Sequence, residues 1–302
     1  MICSPVYIHS QIKSEFMFKK IILAGFLIIS AVVSAQNYKL VWEDNFNKAT
    51  LNKKNWTINV DGNGGGNREL QYYRKQNISL GKEPLTGERC LVITAKKQNY
   101  KGKTATSGRL STLDKKSFKF GKIEARIKMP KTANGLWPAF WMLGADQKTA
   151  VWPKCGEIDI VEMGKKAGID SNVQDRYFNG ACHWGESWNG GSYPNKGIST
   201  TNSYSLQDDF HTYTMFWTPD LITMYLDLDK YPNANPYFEI PITGEELENQ
   251  TSRYFRKPFY LIFNLAVGGT FSENYNINEI TALEGKDAKM YVDYVRVYQI
   301  TN

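Results

Sequence analysis

The chain has 302 residues, of which 42% are hydrophobic and 22% charged, with a net charge of +7. That balance excludes a disordered polymer and suits one large domain with a substantial core. The lysines stand singly or in pairs among acids, without the basic stripe of a nucleic-acid binder, so no nucleic-acid partner is expected.

The amino end differs from the rest. Lys19-Lys20 precedes an apolar run from Ile21 to Val33, then Ser34-Ala35-Gln36. A short basic region, an apolar segment too short to span a membrane comfortably and small residues at a cut describe a secretory signal peptide cleaved after Ala35. Met17 reads as the true start and Met1 to Phe16 as an upstream extension, so residues 1–35 are expected to leave and 36–302 to form the mature domain. No cysteine stands at the cut, so no stable membrane anchor is expected, and the location is extracellular or periplasmic. Losing Lys13, Glu15, Lys19 and Lys20 brings the net charge to +5. Cys3 leaves too. Cys90, Cys155 and Cys182 are too few and too scattered for a zinc cluster, and their odd number leaves at least one free. A Cys155–Cys182 bridge is the alternative to three buried thiols, and the thiols are favoured.

Beyond the leader, short apolar or alternating runs are broken by Gly, Asn, Asp and Pro. Asp61 to Asn67 is glycine-rich but lacks the Gly-Lys-Ser/Thr ending of a phosphate loop, and reads as a flexible rim loop. Strands are predicted at 91–95, 122–128, 212–217, 222–226, 259–263 and 290–297, and one short turn of helix at 243–249. Many strands, few helices and no break in composition predict an all-β sandwich of antiparallel sheets in one domain. With His9, His183 and His211 as the chain's histidines, neither a histidine metal site nor a Ser-His-Asp triad is easily assembled. His211 reads as a hydrogen-bonded strand histidine.

Glu157-Ile158-Asp159-Ile160-Val161-Glu162 places three acids in an apolar, β-branched strand. Carboxylates cost several kcal/mol to bury unpaired, so such a cluster points to a site that uses ionisation. A period of two puts Glu157 and Asp159 on one face and Glu162 on the other. A β-bulge between Asp159 and Glu162 would bring all three into one cleft, with the two glutamates about 5 Å apart, the spacing of a retaining glycosidase.

Glu-Ile-Asp-Ile-Val-Glu resembles the bulged Glu-x-Asp-x-x-Glu motif of glycoside hydrolase family 16, in its laminarinase (endo-1,3-β-glucanase) form. The resemblance extends through Trp42 to Phe46, Asn67 to Tyr73, Ser107 to Arg109, Gly135 to Leu143, Phe263 to Gly269 and Val292 to Tyr298. It implies a β-jelly roll with a concave substrate cleft. It also implies a nucleophile at Glu157, an assisting acid at Asp159 that donates a hydrogen bond to Glu157, and an acid/base at Glu162. Trp137, Trp141 and Trp152 match cleft tryptophans. Asn67, Glu69 and Arg109 match sugar-contacting polar residues, and His183 is implied to face the cleft. Trp42, Trp56 and Trp217 read as core, while Trp184 and Trp188 are candidates for shaping the cleft. The expected partner is a β-glucan, acted on by a monomer that needs no cofactor for catalysis. A structural calcium is implied across the sandwich, with Asp293 as a ligand and the carbonyls of Glu43 and Gly87 as donors. Mixed-linkage glucan and red-algal galactan are the alternative substrates; a glucan-binding protein without catalysis is disfavoured by intact Glu157 and Glu162.

Overall fold

The stretch Gly121–Lys128 alternates buried and half-buried side chains along its whole length, as a strand with one face on a core does. The same period recurs down the chain. In the computed structural model, which describes residues 37–188, 190 and 192–300, the strands are β1 (Tyr38–Asp44), β2 (Thr57–Ile58), β3 (Gln71–Tyr73), β4 (Ile78–Lys82), β5 (Arg89–Tyr100), β6 (Lys103–Ser107), β7 (Arg109–Ser111), β8 (Gly121–Lys128) and β9 (Leu136–Gly144). They continue with β10 (Glu157–Met163), β11 (Tyr177–His183), β12 (Asn195–Thr201), β13 (His211–Trp217), β14 (Leu221–Leu226), β15 (Phe238–Pro241), β16 (Phe259–Val267) and β17 (Ala288–Ile300). The expected leader lies outside the described residues. The compact unit that carries the sandwich runs from Leu40 to Gln299.

Two sheets result. A 10-stranded sheet runs β15-β14-β13-β8-β17-β5-β6-β3, with β1 on β17 and β4 on β5; a 7-stranded sheet runs β12-β11-β10-β9-β16-β7-β2. One continuous apolar core includes Ile123, Ala125 and Ile127 of β8 and Phe140, Ile158 and Phe263 of the other sheet. Phe140 and Phe263 stack 4.5 Å apart across β9 and β16. Trp56 and Trp217 are core residues as expected, and Trp42 packs on Trp56 at 6.0 Å. Every predicted strand falls inside an observed one.

The helix expected at 243–249 does not form. Gly244 and Asn249 take positive φ (93° and 63°), and the acidic stretch between them is exposed with no apolar face to dock. The helical turn comes later, at Thr251–Phe255, where Ser252, Tyr254 and Phe255 supply a buried face. Cys90, Cys155 and Cys182 are all buried free thiols, so the Cys155–Cys182 bridge is not made. Burial pushes the thiols of Cys90 and Cys155 up to about 12, which leaves them uncharged and unreactive.

The acid-rich strand β10 lies between β9 and β11, and it is bulged where expected. Glu157, Asp159 and Glu162 pair with His183, Ala181 and Asn179 of β11, and with Leu143, Trp141 and Ala139 of β9. Steps of two on both neighbours face steps of two and then three on β10. Ile160, paired in neither register, is the extra residue. Its carbonyl, displaced from the ladder, accepts a hydrogen bond from the hydroxyl of Tyr237, whose ring packs edge-on against Phe178 at 4.9 Å. Tyr237→Phe strands that carbonyl in the core, so it should destabilise the fold by ~1–3 kcal/mol in chemical denaturation. It should also lower turnover by loosening the aim of Glu162. Wild-type stability in this variant would show that the bulge does not need the hydroxyl.

Candidate active site

Because of the bulge, Glu157, Asp159 and Glu162 line the same cleft, together with Trp137, Trp141, Trp152, Asn67, Glu69, Arg109 and His183. The catalytic and substrate-binding residues inferred from the sequence are thus assembled. The cleft has a volume of about 1350 Å³ and is open, more than a small-molecule pocket needs and suited to a length of polymer.

The three tryptophans do more than offer flat faces. Trp152 Nε1 donates to Glu157 Oε2 at 3.1 Å, Trp137 Nε1 to Glu162 Oε1 at 2.9 Å, and Trp141 Nε1 to Asn264 Oδ1 at 2.6 Å. Each glutamate is therefore held by an indole from a neighbouring segment. One face of Trp137 is covered by Phe271, stacked 4.6 Å away. Glu162, itself 7% exposed, also accepts from Asn179 Nδ2 at 3.0 Å. Asn179 Oδ1 accepts from Ser199 Oγ at 3.0 Å, and Lys165 Nζ donates to Ser199 Oγ at 3.0 Å.

That relay was not read from the sequence. Asn179 lies four residues before His183 on β11, so strand period alone places it on the cleft face. Ser199 and Lys165 come from β12 and a loop whose approach no local pattern reveals. A second network organises the cleft beside Arg109. Asn264 Nδ2 donates to Tyr73 Oη at 3.3 Å, and Tyr73 donates to Glu69 Oε2 at 3.2 Å. Glu69 also accepts from Gln71 and Asn67. With its oxygens so occupied and 6% exposure, Glu69 braces the cleft wall more than it reaches into it. Arg109 lies over the ring of Trp141 at 4.8 Å, with its Nε buried and unpartnered among the described residues. Of the two loop tryptophans, Trp188 lines the cleft, whereas Trp184 is 8% exposed and belongs to the core. His183 faces the cleft as implied, its Nδ1 3.2 Å from Tyr193 Oη and its Nε2 3.2 Å from Asp159 Oδ2. Asp159 Oδ2 has no hydrogen-bond partner among the described residues, so the expected bond from Asp159 to Glu157 is not made through this oxygen.

The electrostatics follow from burial. Glu157 is raised to about 8, first by desolvation and then by the charge of Asp159, with His183 and Trp152 pulling the other way. Asp159 is raised well above the carboxylate range by desolvation and by Glu162, and Glu162 is raised by desolvation. Three close acids in one cleft titrate as a coupled group, each disfavouring the ionisation of the next. His211 lies elsewhere, on β13, with Nδ1 2.6 Å from Asp227, as a hydrogen-bonded strand histidine.

Of the implied calcium ligands, the Asp293 carboxylate already has a cationic partner. Asp293, at a bulge in β17, gives Oδ2 to Arg126 Nη1 at 2.9 Å, and Arg126 also holds Glu88 at 2.6 Å. A calcium ion on that oxygen would meet a guanidinium.

A two-sheet β-sandwich with an acidic, tryptophan-lined cleft on one sheet defines a polysaccharide-cleaving jelly roll. The family profile described as "Beta-porphyranase A-D, GH16 domain" matches residues 40–300. The chain belongs to glycoside hydrolase family 16. It is 34% identical over 275 residues to the beta-glucanase of Rhodothermus marinus, covering 88% of this chain and 86% of that one. It is 35% identical over 264 residues to the clotting factor G alpha subunit of Tachypleus tridentatus, of which it spans 34%, against 87% of its own length. Among solved structures it resembles a mixed-linkage glucan GH16 of Bacteroides ovatus in complex with the G4G4G3G product (TM-score 0.74, 36% identity, 85% of this chain and 100% of that one). It also resembles the laminarinase of Rhodothermus marinus (TM-score 0.72, 33% identity, 89% and 100%).

A carboxyl group whose folded pKa is raised stabilises fully below its unfolded value, and that contribution is lost as pH rises through the folded value. For Glu157 the window runs from 4.5 to about 8. Glu157→Gln removes the ionisation, so the melting temperature of the variant relative to wild type should climb steadily from pH 5 to pH 9. A difference that stays flat across that range would contradict the raised titration of this half-buried carboxyl.

Proposed function

We propose that this protein is a secreted, endo-acting retaining β-glucanase that hydrolyses internal β-1,3-glucosidic bonds of laminarin-like glucan. The observation that carries the reading is the bulged strand β10, which turns Glu157 and Glu162 to one cleft and leaves each gripped by an indole. Glu157 attacks the anomeric carbon while Glu162 protonates the departing oxygen, and Glu162 then returns as the base that activates water. Burial supports the assignment of acid, because Glu162 keeps its proton to higher pH than an exposed glutamate. Trp152 and His183 favour the anion of Glu157, which a nucleophile requires. Desolvation and the charge of Glu162 favour the neutral form of Asp159, which spares the pair a third charge.

Two relatives named above act on glucans by name, and their likeness supports glucan as substrate. Mixed-linkage glucan is a second reading, favoured by the 36% identity to the Bacteroides ovatus structure. The description of the family profile keeps galactan in the comparison. Product analysis on laminarin, mixed-linkage β-glucan, porphyran and agarose discriminates among them. Fastest release of β-1,3-linked oligosaccharides from laminarin is expected, and cleavage confined to galactans would overturn the assignment. Glu162→Ala should lose most turnover and regain part of it with azide, giving a β-glycosyl azide, since a small anion attacks the intermediate without a general base. An α-azide would mean inversion.

The structural calcium stands as a subsidiary proposal that Arg126 argues against. With the guanidinium already bonded to both Asp293 and Glu88, EDTA and added calcium should both leave the melting temperature unchanged. A fall of several degrees on chelation, the scale expected for loss of a ligand that binds only the folded state, would restore the metal.

A further inference from the structure

Glu157, Asp159 and His183 form more than a hydrolytic constellation. One ligating atom from each, two carboxylate oxygens and one imidazole nitrogen, lie within 4.8 Å of one another. Within the trio, Asp159 Oδ2 and His183 Nε2 approach to 3.2 Å without the alignment of a hydrogen bond, and Asp159 is 4% exposed with that oxygen otherwise unpartnered. Two donors at that separation and without a shared proton match one edge of a metal tetrahedron. With bonds of about 2.0–2.1 Å, tetrahedral ligand atoms sit about 3.3 Å apart. A carboxylate oxygen of the half-buried Glu157 lies within 4.8 Å of the other two ligating atoms, on a side chain that accepts from Trp152 Nε1 at 3.1 Å.

We propose that Glu157, Asp159 and His183 bind a borderline divalent transition ion such as zinc, with water as the fourth ligand, and that the bound ion closes the hydrolytic site. Binding displaces the carboxyl protons, and the two carboxylates and one imidazole that result match the charge of a dication. The nitrogen donor selects zinc or its transition-metal neighbours over calcium and magnesium, which prefer oxygen shells. The second ring nitrogen of His183 faces the Tyr193 hydroxyl at 3.2 Å, an outer-shell contact of the kind that orients a ligating imidazole. Lys165, a cation that lines the same cleft, donates to Ser199 Oγ at 3.0 Å. Glu157 then serves as ligand or nucleophile but not both, so the ion competes with substrate. His211 makes a poorer site: its Nδ1 is already committed to Asp227, whose Oδ2 also accepts from Tyr204.

Calorimetric titration of the full-chain protein with zinc chloride, in buffer free of chelators, tests this without reference to turnover. One ion per chain is expected, with a rise in melting temperature that EDTA reverses. His183→Ala and Asp159→Asn should each weaken binding at least ~10-fold, and His211→Gln should leave it unchanged. Circular dichroism establishes that each variant is folded, and either of the first two suffices should the other fail. With an active substrate, zinc should raise KM and leave kcat unaltered. No zinc binding to the wild type tighter than about 1 mM, undiminished binding in both cleft variants, or loss of binding in His211→Gln would overturn the proposal. Because titration reads binding alone, a wrong choice of polysaccharide leaves this result intact.

Discussion

The site depends on one extra residue. A regular strand through Glu157 to Glu162 would bury one catalytic glutamate in the sandwich core and leave the other in the cleft, because successive side chains alternate faces. Insertion of Ile160 without a ladder partner resets that alternation on both sides of β10 at once. Its side chain is fully buried, and its carbonyl finds a donor in Tyr237, so the irregularity leaves no backbone oxygen stranded. Tyr237 stands beside β15 of the opposite sheet, so the two layers of the sandwich jointly fix the geometry of the cleft.

Placing three acids on one face carries an electrostatic cost, and the cleft distributes it. Two indoles, one amide and an imidazole surround the carboxyls, and each neighbour is held by something further out: Trp137 by Phe271, Trp152 and His183 by Tyr193, and Asn179 by Ser199, which Lys165 holds in turn. Such a shell favours the charge where catalysis needs it without offering full countercharges that would pin the protons permanently. The network from Trp141 through Asn264 and Tyr73 to Glu69 plays the same part along the wall that carries Arg109. The residual strain in proton distribution is consistent with a site that trades stability for function.

Across the molecule, Arg126 does with a guanidinium what a metal would do with a dication. It joins Asp293 of β17 to Glu88 ahead of β5 and lies over the ring of Phe210 at 4.5 Å. Lys128, two residues on, holds the buried Glu83 at 3.0 Å. Alternate residues of β8 thus bind the loop at 83–88 to the sheet through ion pairs, which are partly sheltered and so less screened than fully exposed ones.

Much of this was legible in the linear chain. Period-two alternation marks the main strands, the Glu-x-Asp-x-x-Glu spacing calls for a bulge, and the family blocks carry the cleft tryptophans. What local sequence could not decide were contacts between distant segments. The helix expected at 243–249 moved to Thr251–Phe255 because only there does a buried face exist, and Trp184 went to the core while Trp188, four residues on, went to the cleft. Ser199, Lys165, Asn264 and Tyr237 acquire meaning only when β12, β16 and β15 pack around β10. Side-chain period and motif spacing are properties of one strand and survive in the sequence. Hydrogen-bond partners, protonation and the identity of the cation beside Asp293 depend on which strands meet, and burial in the folded sandwich sets them.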